Sequence, residues 1–403
     1  MTRLPPRLQP LWPLVKRLHR LASLGSGVVG RHTRWLQGDR ALPARGSVSV
    51  DETQARDPAR VTVHRLGDAE HIRRDAAVGT PADHWVFRKH VDIVLPRRLS
   101  LEVEDGLVLG DYGAVIAPDG TLDYESSQYF GISGWREHPL FLRRRLPPVE
   151  DVDQTVLVMA TRGGSNNYYH FLLDVLPRFG VFEETMPGRS VDALYVPHAA
   201  AWQRTFLGLA GLGDHPVIDA GKHRAVRAAR LVAPSIPNLT EAAPPSSVDW
   251  LRSRLPATGT GDTPRRIYVS RGQVPNTRRL VREAETMDLL ERRGFVLVEP
   301  ARLSPQEQID LFAGAEAVVA PHGAALTNLL FLSPGARVLE LFAPSYVNSC
   351  YWAIAQDIPD VRYRYLVADG WERHGPGDPM NRILADVDLE PAAVAAAVDE
   401  LLA

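Results

Sequence analysis

The sequence predicts an α/β fold: a parallel sheet in the second half, preceded by a β-rich lead-in. Three observations carry this expectation. From Arg266 to Phe342, strand-like apolar runs alternate with helical runs of crossover length. From about Val61 to Leu142, short apolar runs are separated by Gly, Asp and Pro turns. The chain has 403 residues, 45% of them hydrophobic, which is ample for two cores.

The N-terminal stretch is basic. No acidic residue precedes Asp39, whereas Arg3, Arg7, Lys16, Arg17, Arg20, Arg31 and Arg34 do. Leu11, Trp12, Leu14, Val15, Leu18 and Leu21 lie among them. Such a segment suits the surface of an anionic membrane, while Pro5, Pro6, Pro10 and Pro13 suit a disordered tail. No run reaches the ~20 apolar residues of a spanning helix. Net charge is −2, so nothing global points to nucleic acid. The lone Cys350 allows no internal disulfide, consistent with a reducing compartment.

In the lead-in, Val91–Leu95, 107–109 and 114–116 read as short strands. A buried-type strand, Thr155–Ala160, then runs into Arg162-Gly163-Gly164-Ser165-Asn166-Asn167-Tyr168-Tyr169-His170 and an apolar helix over 171–179. His170, Asp174 and Arg178 fall at i, i+4 and i+8, on one stripe of that helix. A histidine with a carboxylate one turn away can supply a general base and its orienting partner. Pro177 is expected to bend the helix near Arg178. Further strands are expected at 193–196, 217–218 and 231–233, with helices over 202–209 and 248–255. A Pro-rich connection covers Pro234–Pro264.

The second half reads as strand 266–270, helix 283–293, strand 295–298, helix 305–313, strand 317–320, helix 325–332 and strand 338–342. Ser304, Pro305 and Glu307 form a helix-start signature. The most informative stretch is AEAVVAPHGAALTNLLFLSPGARVLELF, residues 315–342. A strand ending in a small-residue turn that opens a helix presents N–H groups to an anion, here beside His322, Thr327 and Asn328. Ligands of parallel sheets sit past the carboxyl ends of the strands, where Arg271, the 322–328 turn and Glu340 fall. A helix is also expected over 391–402.

NNYYHFLLDVLPRF (166–179), RRIYVSRGQVPNTRRL (265–280) and the 314–342 block, in this order, resemble glycosyltransferase family 61, in particular bacterial capsular polysaccharide biosynthesis members. The resemblance covers roughly Leu107 to Phe342. It implies a GT-B-like fold, with two Rossmann-like domains facing a cleft, and an inverting transfer without an obligatory metal or cofactor. The co-substrate is a nucleotide sugar, UDP-linked, and the acceptor a glycan or lipid-linked glycan in surface polysaccharide synthesis. The expected location is cytoplasmic, peripheral at the inner face of the cytoplasmic membrane.

The expected division is a basic segment 1–50, an acceptor-side domain 51–255, a nucleotide-sugar domain 256–385 and a helix 386–403 packing back on the first domain. His170 and Asp174 are the catalytic candidates, the base being either one. Arg271, Arg278, Arg279, His322, the N–H groups of Gly323, Ala324 and Ala325, Thr327, Asn328 and Glu340 are the donor-side candidates. One of Arg278 and Arg279 is alternatively a solvated loop residue, and Glu340 an interface salt bridge. Asn167, Tyr168 and Tyr169 are assigned to the acceptor side, and Trp352, Tyr363, Tyr365 and Trp371 are either acceptor aromatics or core. A binding protein without turnover and a sugar-nucleotide epimerase are the competing functions.

Overall fold

The computed structural model of the chain describes residues 11–403, apart from 68, 260–262, 273–277 and 370–384. Trp371, Arg3 and Arg7 therefore lie outside the described residues. The fold is α/β. The chain divides into two compact units, one of residues 13–70 and 96–239, the other of 1–12, 71–95 and 240–403.

The first unit is built on a nine-stranded mixed sheet. Its centre is the pair Leu99–Leu109 and Ala225–Pro234, antiparallel over their whole length. On one side a meander follows through Ala114–Ile116 and Thr121–Asp123. On the other, Glu150–Val158, Ala193–Val196 and Val217–Asp219 run parallel to Ala225–Pro234. The central strand Leu99–Leu109 extends well beyond the expected run 107–109, because Glu102, Glu104, Asp105 and Gly106 interrupt the apolar pattern. Across the sheet, His64 Nε2 lies 2.7 Å and Arg230 Nε 3.1 Å from the Glu102 carboxylate, so the acidic side chain is matched by its neighbours. Val103, Val108, Val156, Val158 and Leu231 fill the core beneath.

The expected helix over 171–179 is three pieces: an α-turn Tyr168–His170, a π-turn Phe171–Val175 and an α-helix Pro177–Thr185. Pro177 is the cause. It has no N–H to donate, and the Leu176 N–H donates instead to the Phe171 carbonyl five residues back, at 3.1 Å. The proline thus widens one turn and starts the next helix rather than bending a single one.

The second unit is built on six parallel strands, in the order Val296–Val298, Arg266–Val269, Ala317–Pro321, Arg337–Phe342, Arg362–Val367, Val78–Thr80. Strands buried on both faces explain the nearly continuous apolar runs. On one face Tyr268, Val319, Leu339 and Leu341 meet Met287, Leu290, Val394 and Val398. The Pro391–Leu402 helix therefore packs within its own unit, on the Glu283–Glu291 helix and the sheet, rather than back on the other unit as expected.

The 71–95 segment also departs from the expected division. It folds with residues 240–403, so Asp92–Val94 pairs with His71–Arg73 in a small ladder outside the lead-in. Val78–Thr80 adds the last strand of the parallel sheet. There a Cβ on Gly79 would sit 2.4 Å from the Tyr365 carbonyl, which only glycine avoids. Phe87 stacks on Tyr365 at 4.4 Å and meets Trp352 edge-on at 5.8 Å, so Trp352, Tyr363 and Tyr365 are core aromatics. Arg74 Nη2 lies 3.1 Å from the Asp357 carboxylate, both buried, and His90 Nδ1 is 2.8 Å from the Ser349 hydroxyl.

Two measurements check this attachment. Arg74→Ala removes the cation from beside buried Asp357 and lowers stability by about 3–5 kcal/mol. Arg88→Ala, at an exposed pair with Asp83, costs less than about 1 kcal/mol in the same denaturant titration. His90 is pushed down to about 4 by burial, with Lys89 and Arg74 adding to it, against an ordinary value of 6.5. The unfolded chain takes up that proton first, so stability falls as pH drops from 6.5 towards 4. The loss from His90 is about 3 kcal/mol, and His90→Asn removes that part of the pH profile.

Candidate functional site

Each unit carries one cluster of chemistry-bearing residues. In the 13–70/96–239 unit the π-turn brings His170 and Asp174 together, with Nδ1 2.7 Å from Oδ2. Asn238, 64 residues away, donates its amide to the other carboxylate oxygen at 2.9 Å and to the Tyr169 hydroxyl at 3.0 Å. Asp174 is thus buried with both oxygens engaged, behind the histidine. Gly163 makes the approach of the preceding loop possible. Its φ is +92° and a Cβ there would stand 2.7 Å from the His170 ring.

Arg178, the third residue of the predicted stripe, turns inward. It is fully buried and donates to the Pro234 carbonyl through Nε at 2.9 Å and to the Ala160 carbonyl through Nη1 at 2.8 Å. Burial pushes its guanidinium down to about 9, and Asp174 opposes that shift. It remains a cation at neutral pH and ties two strand ends to the helix. The acceptor-side candidates are likewise employed inside the unit. Asn167 caps the turn through the Tyr169 N–H, Tyr168 packs on Trp202 and Phe206, and Tyr169 is buried.

Two side chains beside His170 are missing from the sequence-based set. Phe130 is 50% exposed and stacks on the His170 ring at 5.3 Å with the planes 22° apart. The Arg162 guanidinium lies 4.0 Å from the Tyr129 ring centre and 3.9 Å from that of Phe130. The only sequence signal for them is an aromatic pair against Gly131 and an arginine opening the Gly163-Gly164 loop.

In the other unit, the strand order places a switch point between Arg266–Val269 and Ala317–Pro321, whose following crossovers leave in opposite directions. Arg271 follows the first strand and His322 follows the second. Arg271 Nη1 donates to the His322 carbonyl at 3.1 Å. Gly323 is extended at φ −178°, and a Cβ there would lie 1.9 Å from Arg271 Nη1, so this glycine makes room for the guanidinium. The helix that follows is a 3₁₀-helix, Ala324–Phe331, whose first turn closes from the Leu326 N–H to the Gly323 carbonyl. The N–H groups of Gly323, Ala324 and Ala325 precede that turn and have no acceptor within it.

Arg278 and Arg279 converge on the same place. Arg278 adopts φ +76°, its guanidinium lies 5.1 Å from the Tyr346 ring centre, and its Nε is buried without a hydrogen-bond partner among the described residues. Arg279 Nε donates to the Gly272 carbonyl at 2.9 Å. The backbone N–H groups of both bond to Asp386 at 2.7 and 2.9 Å. Burial pushes Arg271 down to about 10, and the nearby Arg278 adds to that shift.

His322 Nδ1 lies 2.5 Å from Glu340 Oε1, and the Tyr363 hydroxyl donates to Oε2 at 2.5 Å. Glu340 is wholly buried, so its place is behind His322 rather than against a ligand hydroxyl. Burial holds its carboxyl well above the usual range. Burial, with Arg278 and Arg271, holds His322 well below the imidazole range. When both groups are neutral, the carboxyl proton bridges Oε1 and Nδ1 and Nε2 carries the ring proton, a donor suited to an anion. Thr327 and Asn328 point into the fold: the Thr327 hydroxyl donates to the Ala324 carbonyl, and the Asn328 amide to Gln308 and the Ala325 carbonyl.

Gly323→Ala displaces only the end of the Arg271 side chain. It leaves the unliganded melting temperature near that of the wild type and weakens inorganic pyrophosphate binding at least about tenfold, measured by calorimetry. Equal affinity in the two proteins would separate Arg271 from anion binding.

A family model described as Glycosyltransferase 61 matches residues 168–339, from two residues before His170 to the residue before Glu340. The search of curated proteins finds no match. The matched segment, less than half of the chain, contains the His170–Asp174 pair, Arg271 and the His322 turn, and it is similar to glycosyltransferase family 61.

Proposed function

We propose that this protein is an inverting, metal-independent glycosyltransferase of GT-B arrangement. It moves a sugar from a UDP-linked donor to a glycan or lipid-linked glycan acceptor in surface polysaccharide synthesis. The observation that carries the donor side is the convergence of Arg271, Arg278, Arg279, His322 and three backbone N–H groups at the carboxyl ends of a parallel sheet. Fixed cations and N–H dipoles of this kind stabilise the charge that a leaving nucleoside diphosphate acquires. The UDP and inverting assignments rest on the resemblance of the sequence blocks.

Inversion needs one displacement. The acceptor hydroxyl oxygen forms a bond to the anomeric carbon from the face opposite the nucleotide, the bond from that carbon to the diphosphate oxygen breaks, and the hydroxyl proton passes to a base. His170 is that base, through Nε2. Its Nδ1 is engaged with Asp174, which orients the ring and stabilises the imidazolium once the proton has arrived. Asp174, buried and held by Asn238, is a positioning residue. Phe130, exposed beside His170, takes the acceptor-contact role first assigned to Asn167, Tyr168 and Tyr169.

The test is a thermal titration with UDP, GDP, CMP and dTDP, with and without EDTA, on wild type, His322→Ala and His170→Ala. One nucleotide raises the melting temperature irrespective of EDTA; at a hundredfold excess over Kd the stabilisation is about 2.7 kcal/mol. The shift shrinks in His322→Ala and persists in His170→Ala, while sugar release from the matching donor falls at least about 100-fold in His170→Ala. Absence of a shift with every nucleotide would overturn the donor site, and an unchanged rate in His170→Ala would overturn the base.

A further inference from the structure

The helix Trp12–His32 is turned the opposite way from an ordinary surface helix. Among its described side chains the buried positions are Gly27 and Gly30, and a Cβ on Gly30 would stand 2.6 Å from the buried Leu42 side chain. Glycines lie at the buried positions, and five large apolar residues are left outside. Leu14, Leu18, Leu21, Val28 and Val29 are between 46% and 64% exposed. At about 100° per residue, spacings of four, three and seven put them on one stripe little more than 100° wide. Trp35, one turn beyond the helix, is 80% exposed.

Charge decides what covers this stripe. The helix sequence contains Lys16, Arg17, Arg20 and Arg31 and no acidic residue, and the first carboxylate of the chain is Asp39. A protein partner able to match such a face needs its own acidic rim around an apolar groove. A bilayer with anionic headgroups supplies both features at once, with the apolar stripe below the headgroups, the exposed Arg17 among the phosphates and a tryptophan at the interfacial level. No helix among the described residues is long and apolar enough to cross a membrane, so the contact is in-plane.

We propose that the Trp12–His32 helix binds the surface of an anionic lipid bilayer through Leu14, Leu18, Leu21, Val28 and Val29. This inference does not depend on the transfer reaction. The test uses the full chain, pelleted with vesicles of phosphatidylcholine alone or mixed with phosphatidylglycerol, and run by size exclusion without lipid. Wild type pellets with the mixed vesicles and not with phosphatidylcholine alone. Leu14→Glu with Leu18→Glu lowers the bound fraction at least about tenfold without changing the melting temperature, since both side chains are already exposed. Arg17→Glu with Arg20→Glu also lowers it and flattens its dependence on salt.

Three results would overturn the proposal. One is no pelleting of the wild type with either vesicle. Another is salt-sensitive pelleting that the leucine variant retains in full, which reports charge alone. The third is a wild-type dimer that the leucine variant turns into a monomer without any vesicle binding, which makes a second copy of the chain the cover of this face.

Discussion

A carboxyl group buried in the middle of a parallel sheet is the constraint on which the donor-side cluster depends. Glu340 pairs in register with Ala320, two residues before the strand ends, and the His322 N–H closes the ladder on the Leu341 carbonyl at 2.9 Å. Those bonds bring the imidazole over the carboxyl. Leaving either group alone would strand a polar atom in an apolar interior, at a cost of several kcal/mol by general experience with buried polar groups. The histidine is thereby held in one rotamer, and its carbonyl is fixed for Arg271. The arginines are the adaptable layer, and the His–Glu–Tyr chain is the rigid one behind them.

The 13–70/96–239 unit solves the same problem on a helix. A π-turn there sets His170 and Asp174 within hydrogen-bond reach, while Arg178 leaves the stripe to bond strand-end carbonyls. Proline at 177 removes a donor, and the surrounding helix recovers the loss by widening one turn. The charge of buried Arg178 in turn lies close to Asp174, so the element that holds the histidine is stabilised by the residue that left the stripe.

What the sequence made legible was whatever depends on local pattern. The alternation after Arg266, the Ser304 cap, the Pro391–Leu402 helix and the small-residue turn at His322 all follow from spacing and residue type within one element. What stayed hidden depends on pairing across the fold. Glu340 reads as a ligand contact until the strand register shows which face it occupies. Glu102 reads as a break in a strand until His64 and Arg230 appear on either side. Asn238 carries no local sign of its bond to Asp174, and Val78–Thr80 is too short for any periodicity. The resemblance to family 61 is untouched by these differences because it rests on blocks whose order was readable, whereas the role of each residue needed geometry.

The 71–95 segment has a consequence for synthesis on the ribosome. Residues 13–239 contain everything the mixed sheet requires, so that unit can close while the rest of the chain is still being made. The segment inside it must wait, with Phe87 and the Val78–Thr80 strand lacking their eventual neighbours, until Arg362–Val367 emerges nearly 300 residues later. Contacts this distant in sequence form slowly, and the interval leaves an apolar stretch and a bare strand edge open to other chains. Aggregation during expression would then start from the last strand of the parallel sheet, the part of that sheet made first.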